Sequence, residues 1–362
     1  LAAVLAPVLG SFADKYRAHR LVLTLGVMGM GLGFLMYSLS AEAQAIYVLD
    51  AIILGVSAAA LNAVGPVFIL GANLPQKLEA SRLTVLNLLQ PVGQVIGGAL
   101  LAAAVTANLD FSTRFLIAAV FMFICGVLTW FTTGKPAKRI VLQENKPGDH
   151  HEEQKKSFGL KQVFFSTFGM TLLVLTLSSV GNNGINAQIA NILPNVYGMS
   201  EQTTSALISL AGLFNIFFFI VAGRWMAKSG AMMVLTGATI IRFVGALGMA
   251  VVGMMTNSSV ILVAALFMII MYQGNSFNRI SQGVVGMRFA TIPPGSASGW
   301  VIAASAAGSF VGALFGGFLA SSIGFNAINW MAALAVGLSL LLLIFFLWPA
   351  EPKKRAAKAE SG

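Results

Sequence analysis

The chain has 362 residues, of which 57% are apolar and only 9% charged, and 22 Lys and Arg against 12 Asp and Glu give a net charge of +10. A soluble domain carries about 25% charged residues, so this balance excludes a water-exposed globule. The bases stand in short segments between apolar blocks, which also excludes a nucleic-acid-binding face, and the lone Cys125 excludes a disulfide framework.

The apolar blocks are about 20 residues long, the length of a helix across a hydrocarbon core. In lipid every backbone polar group must be satisfied within its own segment, so each block is predicted to be a helix. In chain order the spans are 1–12, 21–39, 46–71, 83–106, 114–133, 163–190, 202–222, 233–255, 258–278, 296–320 and 326–348. No signal-peptide pattern is visible. Leu1 falls inside an apolar run, so one further span is expected before it.

The segments between spans alternate in charge. Lys15, Arg17 and Arg20, then Lys77 and Arg82, then the bases of 134–161, then Arg224 and Lys228, then Arg279 and Arg288, mark one side. The intervening loops carry no Lys or Arg, although Arg114 borders one. Cytoplasmic loops collect Lys and Arg, so the basic side is placed in the cytoplasm. Segment 134–161 is charged, contains Pro and Gly, and lacks an apolar helical period. It reads as a flexible cytoplasmic linker, and its His150–His151 pair as solvated rather than metal-binding. The linker divides an N-terminal bundle, 1–133, from a C-terminal bundle, 162–348, followed by a basic cytoplasmic tail, 349–362.

The halves also repeat. "GSFADKYRAHRLVL" from Gly10 can be laid on "GRWMAKSGAMMVL" from Gly223, and "GQVIGG" at Gly93, Gly97 and Gly98 on "GALFGG" at Gly312, Gly316 and Gly317. Small residues at this spacing let helices approach closely, so these glycines are expected at helix contacts.

On these residues the chain resembles the major facilitator superfamily of secondary transporters. The signature Gly-x-Leu-Ala-Asp-Arg-x-Gly-Arg-Arg falls on Gly10, Phe12, Ala13, Asp14 and Lys15. Arg17 stands at the signature's second Gly, Ala18 replaces a base, and His19 and Arg20 restore basic character. The resemblance implies an all-α polytopic membrane protein of two pseudo-symmetric six-helix bundles, with the family's first helix missing and about eleven transmembrane helices present. It implies that Asp14 docks on the start of a helix near Pro293–Gly299 and latches the outward-facing state, with Lys15, Arg17 and Arg82 keeping it charged and aligned. A second signature, of antiporters, is matched at Gly93, Gly97 and Gly98 but has Gln94 for its Pro and Leu89 for its first Gly, so it gives the antiporter reading no support.

Polar residues inside a membrane are costly and usually face a cavity. By the resemblance, the candidates are Asn62, Asn87, Gln90 and Gln94 in the first half and Asn182, Asn186, Asn215, Gln273 and Asn275 in the second. Gly181 and Gly184 beside Asn182 are expected to loosen that helix. Arg242 is a full charge deep in a span, open to three readings: snorkelling, pairing with a carboxylate, or binding an anionic group. No Asp or Glu occupies the middle of a visible span. A proton-coupling carboxylate would therefore lie on the preceding helix or be Asp50, and otherwise the protein would be a facilitator.

The implied activity is secondary transport of a small organic solute by alternating access. Proton-coupled efflux comes first, an uptake symporter or uniporter second, and a non-transporting receptor or scaffold third. No clustered catalytic side chains and no phosphate loop suggest an enzyme or an ATP-driven pump. The expected partners are the lipid bilayer, the solute and protons, with no cofactor, metal or nucleic acid. The expected state is a monomer in a prokaryotic inner membrane.

Overall fold

The computed structural model describes residues 2–39, 44–72, 74–140, 165–255 and 260–350, and their regular structure is helical. The first bundle contains α1 (Ala2–Lys15), α2 (His19–Leu39), α3 (Gln44–Val64), α4 (Val67–Leu70), α5 (Gln76–Thr106), α6 (Phe111–Thr132) and the short α7 (Gly134–Ala137). The second contains α8 (Thr167–Tyr197), α9 (Glu201–Ser229), α10 (Ala231–Val252), α11 (Val260–Phe289), α12 (Pro294–Ser322) and α13 (Asn326–Leu342), continued by a π-helical turn Leu343–Leu347 and α14 (Trp348–Ala350). Among the described residues nine helical stretches are long and apolar enough to cross a membrane. With α1 (14 residues) and α5 (31 residues) the helix count reaches the expected eleven. The chain is an integral membrane protein.

Helix starts follow local chemistry. Asp110, Ser166 and Ser200 cap α6, α8 and α9 by accepting the backbone N–H groups of Thr113, Gly169 and Thr203. At the other ends, Gly198 and Gly230 take φ of 67° and 89° and stop α8 and α9. Hydropathy placed several ends short, because it reads contact with lipid whereas a helix stops where its backbone bonds stop. The helix expected to end at 278 runs on to Phe289, carrying Arg279 inside it rather than in a loop. The expected span 46–71 is in turn broken at Gly65–Pro66, between α3 and α4, where proline lacks an N–H.

Within the first bundle α2 packs on α3 and α6, and α1 on α3. Within the second, α8 packs on α12 and α13, and α10 on α11 and α13. Between bundles the main contacts are α1 with α12 and α5 with α9. The expected loosening at Gly181 and Gly184 does not occur, since α8 is continuous through both. Their missing side chains serve close packing instead. A Cβ on Gly181 would lie 2.7 Å from the Ala332 carbonyl oxygen, and one on Gly184 would lie 3.2 Å from that of Gly312. Of the expected linker and tail, residues 141–161 and 351–362 lie outside the described residues. Just before the linker, Arg20 stacks on the Trp130 ring at 3.8 Å and donates to the Trp130 carbonyl at 2.8 Å, tying the start of α2 to the end of α6.

Candidate functional site

The start of α12 reads Pro293–Pro294–Gly295–Ser296. Two prolines lack N–H groups, so the first donors this helix offers are those of Gly295 and Ser296. Both donate to Asp14 of α1, at 2.9 Å to Oδ1 and 2.6 Å to Oδ2, and the Ser296 hydroxyl adds a bond of 3.1 Å. Pro293 provides no side-chain cap. Asp14 therefore caps a helix 280 residues away in sequence, at the positive end of its dipole. His19 Nε2 stands 3.0 Å from Asp14 Oδ1, and both residues are buried.

Of the neighbours expected to hold Asp14, Lys15 lies over the Tyr16 ring and Arg82 is exposed on α5. Arg20 is committed to Trp130. His19, credited above only with basic character, contacts the Asp14 carboxylate directly. Arg17 has φ 50°, in the left-handed region, which accounts for a glycine at that point of the signature.

Glycine makes the docking close. A Cβ on Gly10 would stand 2.0 Å from the Gly295 carbonyl oxygen, and one on Gly299 would stand 2.5 Å from that of Ala6. The repeat partner of Gly10 does the same at the pseudo-symmetric place: a Cβ on Gly223 of α9 would fall 1.8 Å from Oγ1 of Thr84 on α5. Glu79 and Arg288, in the first turn of α5 and the last turn of α11, add an electrostatic attraction at this same end. The second expected glycine pair divides unequally. Gly312 packs on α8, where a Cβ would meet the Val180 carbonyl oxygen at 2.2 Å, and Gly316 approaches Gly184. A Cβ on Gly317 would make only an ordinary contact, one on Gly93 or Gly97 would meet nothing within 4 Å among the described residues, and the surroundings of Gly98 lie outside those described.

Between the bundles lies a cavity of about 860 Å³. Of the expected lining residues, Asn62, Asn87, Asn182, Asn186, Asn215 and Asn275 border it, as does Arg242. Gln273 does not: it is buried between helices, its amide 3.5 Å from the Ala211 carbonyl. The side chains of Gln90 and Gln94 lie outside those described. Sequence reasoning missed Arg279, Asn183, Asn278, Gln282, Ser305 and Ser309, all at the cavity wall. A signal existed in α11. Asn275, Asn278, Arg279 and Gln282 follow i, i+3, i+4, i+7 spacing, which sets them on one helix face.

The two walls differ. In the first bundle Asn62 and Asn87 donate to carbonyls of their own helices, Ala58 and Leu83, each at 2.8 Å. In the second bundle Oδ1 of Asn182, Asn186 and Asn278, Oγ of Ser305 and Nε of Arg242 are buried without a protein partner. Arg242 is buried rather than snorkelling, and among the described residues no carboxylate is its hydrogen-bond partner. It crosses α11 where Gly274 leaves room, a Cβ there falling 2.5 Å from its Cγ. It then donates to Ser178 Oγ at 2.9 Å and Asn275 Oδ1 at 2.5 Å. Asp50, the acid expected near the outer end of a span, is fully buried against Gly33 of α2 and is not part of the cavity wall. Among the described residues no cluster of His, Cys, Asp and Glu could hold a metal ion.

Two helical bundles closed on each other at one end around a central polar cavity define a membrane transporter architecture. The family model of the Major Facilitator Superfamily matches residues 1–290, and the chain belongs to that family of secondary transporters. Three solved structures are similar in fold. The human organic anion transporter MFSD10 (TETRAN) has a TM-score of 0.73 at 15% identity, over 94% of this chain and 80% of that one. The proton:xylose symporter XylE has 0.73 at 14%, over 97% and 84%. A bacterial homologue of the iron transporter ferroportin, in an outward-facing state, has 0.67 at 15%, over 96% and 88%. No curated protein sequence matches the chain at a significant level.

Proposed function

We propose that this chain carries a small organic solute through the central cavity by alternating access, and that the conformation described is closed at its cytoplasmic end. The carrying observation is the capping of α12 by Asp14 across the bundle interface. Such a bond is made or broken as a unit when the bundles rock, because a carboxylate either reaches the two N–H groups or does not. The closed end is also the basic end, where Lys15, Arg17, Arg82, Arg224 and Arg288 gather, which supports its placement in the cytoplasm. The likeness to a structure recorded as outward-facing agrees with this assignment.

The test uses the full protein in sealed vesicles, with Cys125→Ser and a single reporter at Asn62→Cys on the cavity wall. A membrane-impermeant maleimide should label the reporter from the side opposite the basic loops. In an Asp14→Asn background it should label from the basic side. Labelling from both sides at once in the unmodified latch would mean a pore, and labelling from neither would mean that the cavity is not a pathway.

A further inference from the structure

We propose that His19 is a proton-binding site that releases the latch, so that protons on the basic side open the cavity to that side. This rests on the latch reading above and adds the signal that operates it. The two oxygens of Asp14 are not used alike. Oδ2 receives from the N–H and the hydroxyl of Ser296, whereas Oδ1 is shared between the Gly295 N–H at 2.9 Å and His19 Nε2 at 3.0 Å. A carboxylate oxygen only accepts, so Nε2 carries the hydrogen in this contact, and in the neutral ring Nδ1 carries none. A further proton therefore goes to Nδ1 and makes His19 a cation without breaking its bond to Asp14.

That charge acts on α12. His19 and Asp14 are five residues apart in the first bundle, so their contact survives rocking, whereas α12 belongs to the second bundle. With His19 neutral, the positive end of α12 meets a full negative charge. With His19 charged, it meets an ion pair of no net charge, whose positive member is aimed at the oxygen that Gly295 uses. Asp14 and His19 are both buried, so water screens this competition poorly.

The other charges at this end are differently placed. The elements packed on α1 and α2 here are α3, α6, α7 and α12. Among the described residues, Lys15, Tyr16 and Arg17 before α2 and Lys135 of α7 are exposed, and Arg20 is held on Trp130. Water screens exposed charges at this range. Asp50 and Arg114 stand at the far ends of α3 and α6, and α12 has no ionisable side chain. Of these side-chain types and imidazole, only imidazole ordinarily changes charge within the range of cellular pH.

The experiment reads the open fraction from labelling of Leu83→Cys by an impermeant maleimide. It uses the full protein with Cys125→Ser, in sealed vesicles whose basic loops face the medium. The medium is stepped from about pH 8 to about pH 5.5, where imidazole takes up its proton. Each rate is divided by that of the same protein carrying Asp14→Asn at the same pH, which removes the titration of the thiol itself. The normalised rate should rise about 5- to 30-fold on acidification. His19→Gln keeps a donor for Oδ1 but cannot titrate, and should stay at the low rate throughout. His19→Lys, a fixed cation, should stay at the high rate throughout. Either variant decides alone if the other does not fold. Lys135→Gln, an exposed base removed nearby, should respond as the parent does.

The inference is overturned if the parent's normalised rate stays flat and well below one, or if it falls on acidification. It is also overturned if the rise survives in His19→Gln, which assigns the proton to another group, or if His19→Lys stays latched. The latch reading fails separately: a parent rate equal to that of Asp14→Asn at every pH removes the latch, and this inference with it.

Discussion

Replacing Asp14 by Asn removes a charge and one acceptor with almost no change in shape. Asp14 receives four bonds, from the N–H groups of Gly295 and Ser296, the Ser296 hydroxyl and His19. The hydroxyl can rotate and the imidazole can present its other tautomer, so those two contacts adapt. The backbone N–H groups cannot. The amide keeps one oxygen, so one of the two N–H groups faces an NH₂ and loses its acceptor, at about 1–3 kcal/mol for a buried donor. Loss of the negative charge at the helix N-terminus adds about 0.3–1 kcal/mol. The latched state should thus lose about 1.3–4 kcal/mol relative to the open one, a shift of about 10- to 700-fold in the equilibrium. The assay places a cysteine at Leu83, a buried cavity residue near the start of α5, in a Cys125→Ser background. Its rate of labelling from the basic side should rise by that factor in Asp14→Asn. A rate within about threefold of the parent, in a protein that unfolds at the parent's temperature, would refute the latch and the energetics behind it.

Gly10→Ala should open the same end by steric means, because its Cβ falls on the Gly295 carbonyl. About 1–3 kcal/mol of overpacking is expected, and the Leu83→Cys rate should rise as it does for Asp14→Asn. Gly223→Ala should raise that rate as well, since its Cβ would fall within 3 Å of Oγ1, Cβ and Cγ2 of Thr84, and rotation of a β-branched side chain does not clear all three. Gly312→Ala should lower the thermal midpoint of the protein while Gly317→Ala leaves it nearly unchanged, because only the first Cβ meets backbone. Tyr197→Phe should destabilise by about 1–2 kcal/mol, measured by thermal unfolding, because the hydroxyl donates to the Met249 carbonyl at 2.7 Å and accepts from Asn329 at 3.0 Å.

The sequence by itself determined the lipid environment and most of the helices. A stretch of apolar residues about 20 long has one low-energy backbone in a bilayer, and that argument needs no partner. The resemblance of its motif to the family signature implied that Asp14 lies near Pro293, where two prolines suit a helix start. It could not name His19 as the companion of Asp14, since a turn with Arg17 at positive φ decides which of five polar side chains reaches inward. Nor could it tell Gly312, wedged against α8, from Gly93, where a Cβ would meet no described residue, because a glycine carries no mark of the helix that approaches it. Arg279 shows the difference most clearly. By hydropathy it ends a span and reads as a loop base, yet α11 continues past it and turns it to the cavity beside Arg242. Hydropathy along one chain reports the cost of meeting lipid. Which polar groups are excused that cost by facing each other across a cavity is settled only when α8, α10 and α11 are assembled around it.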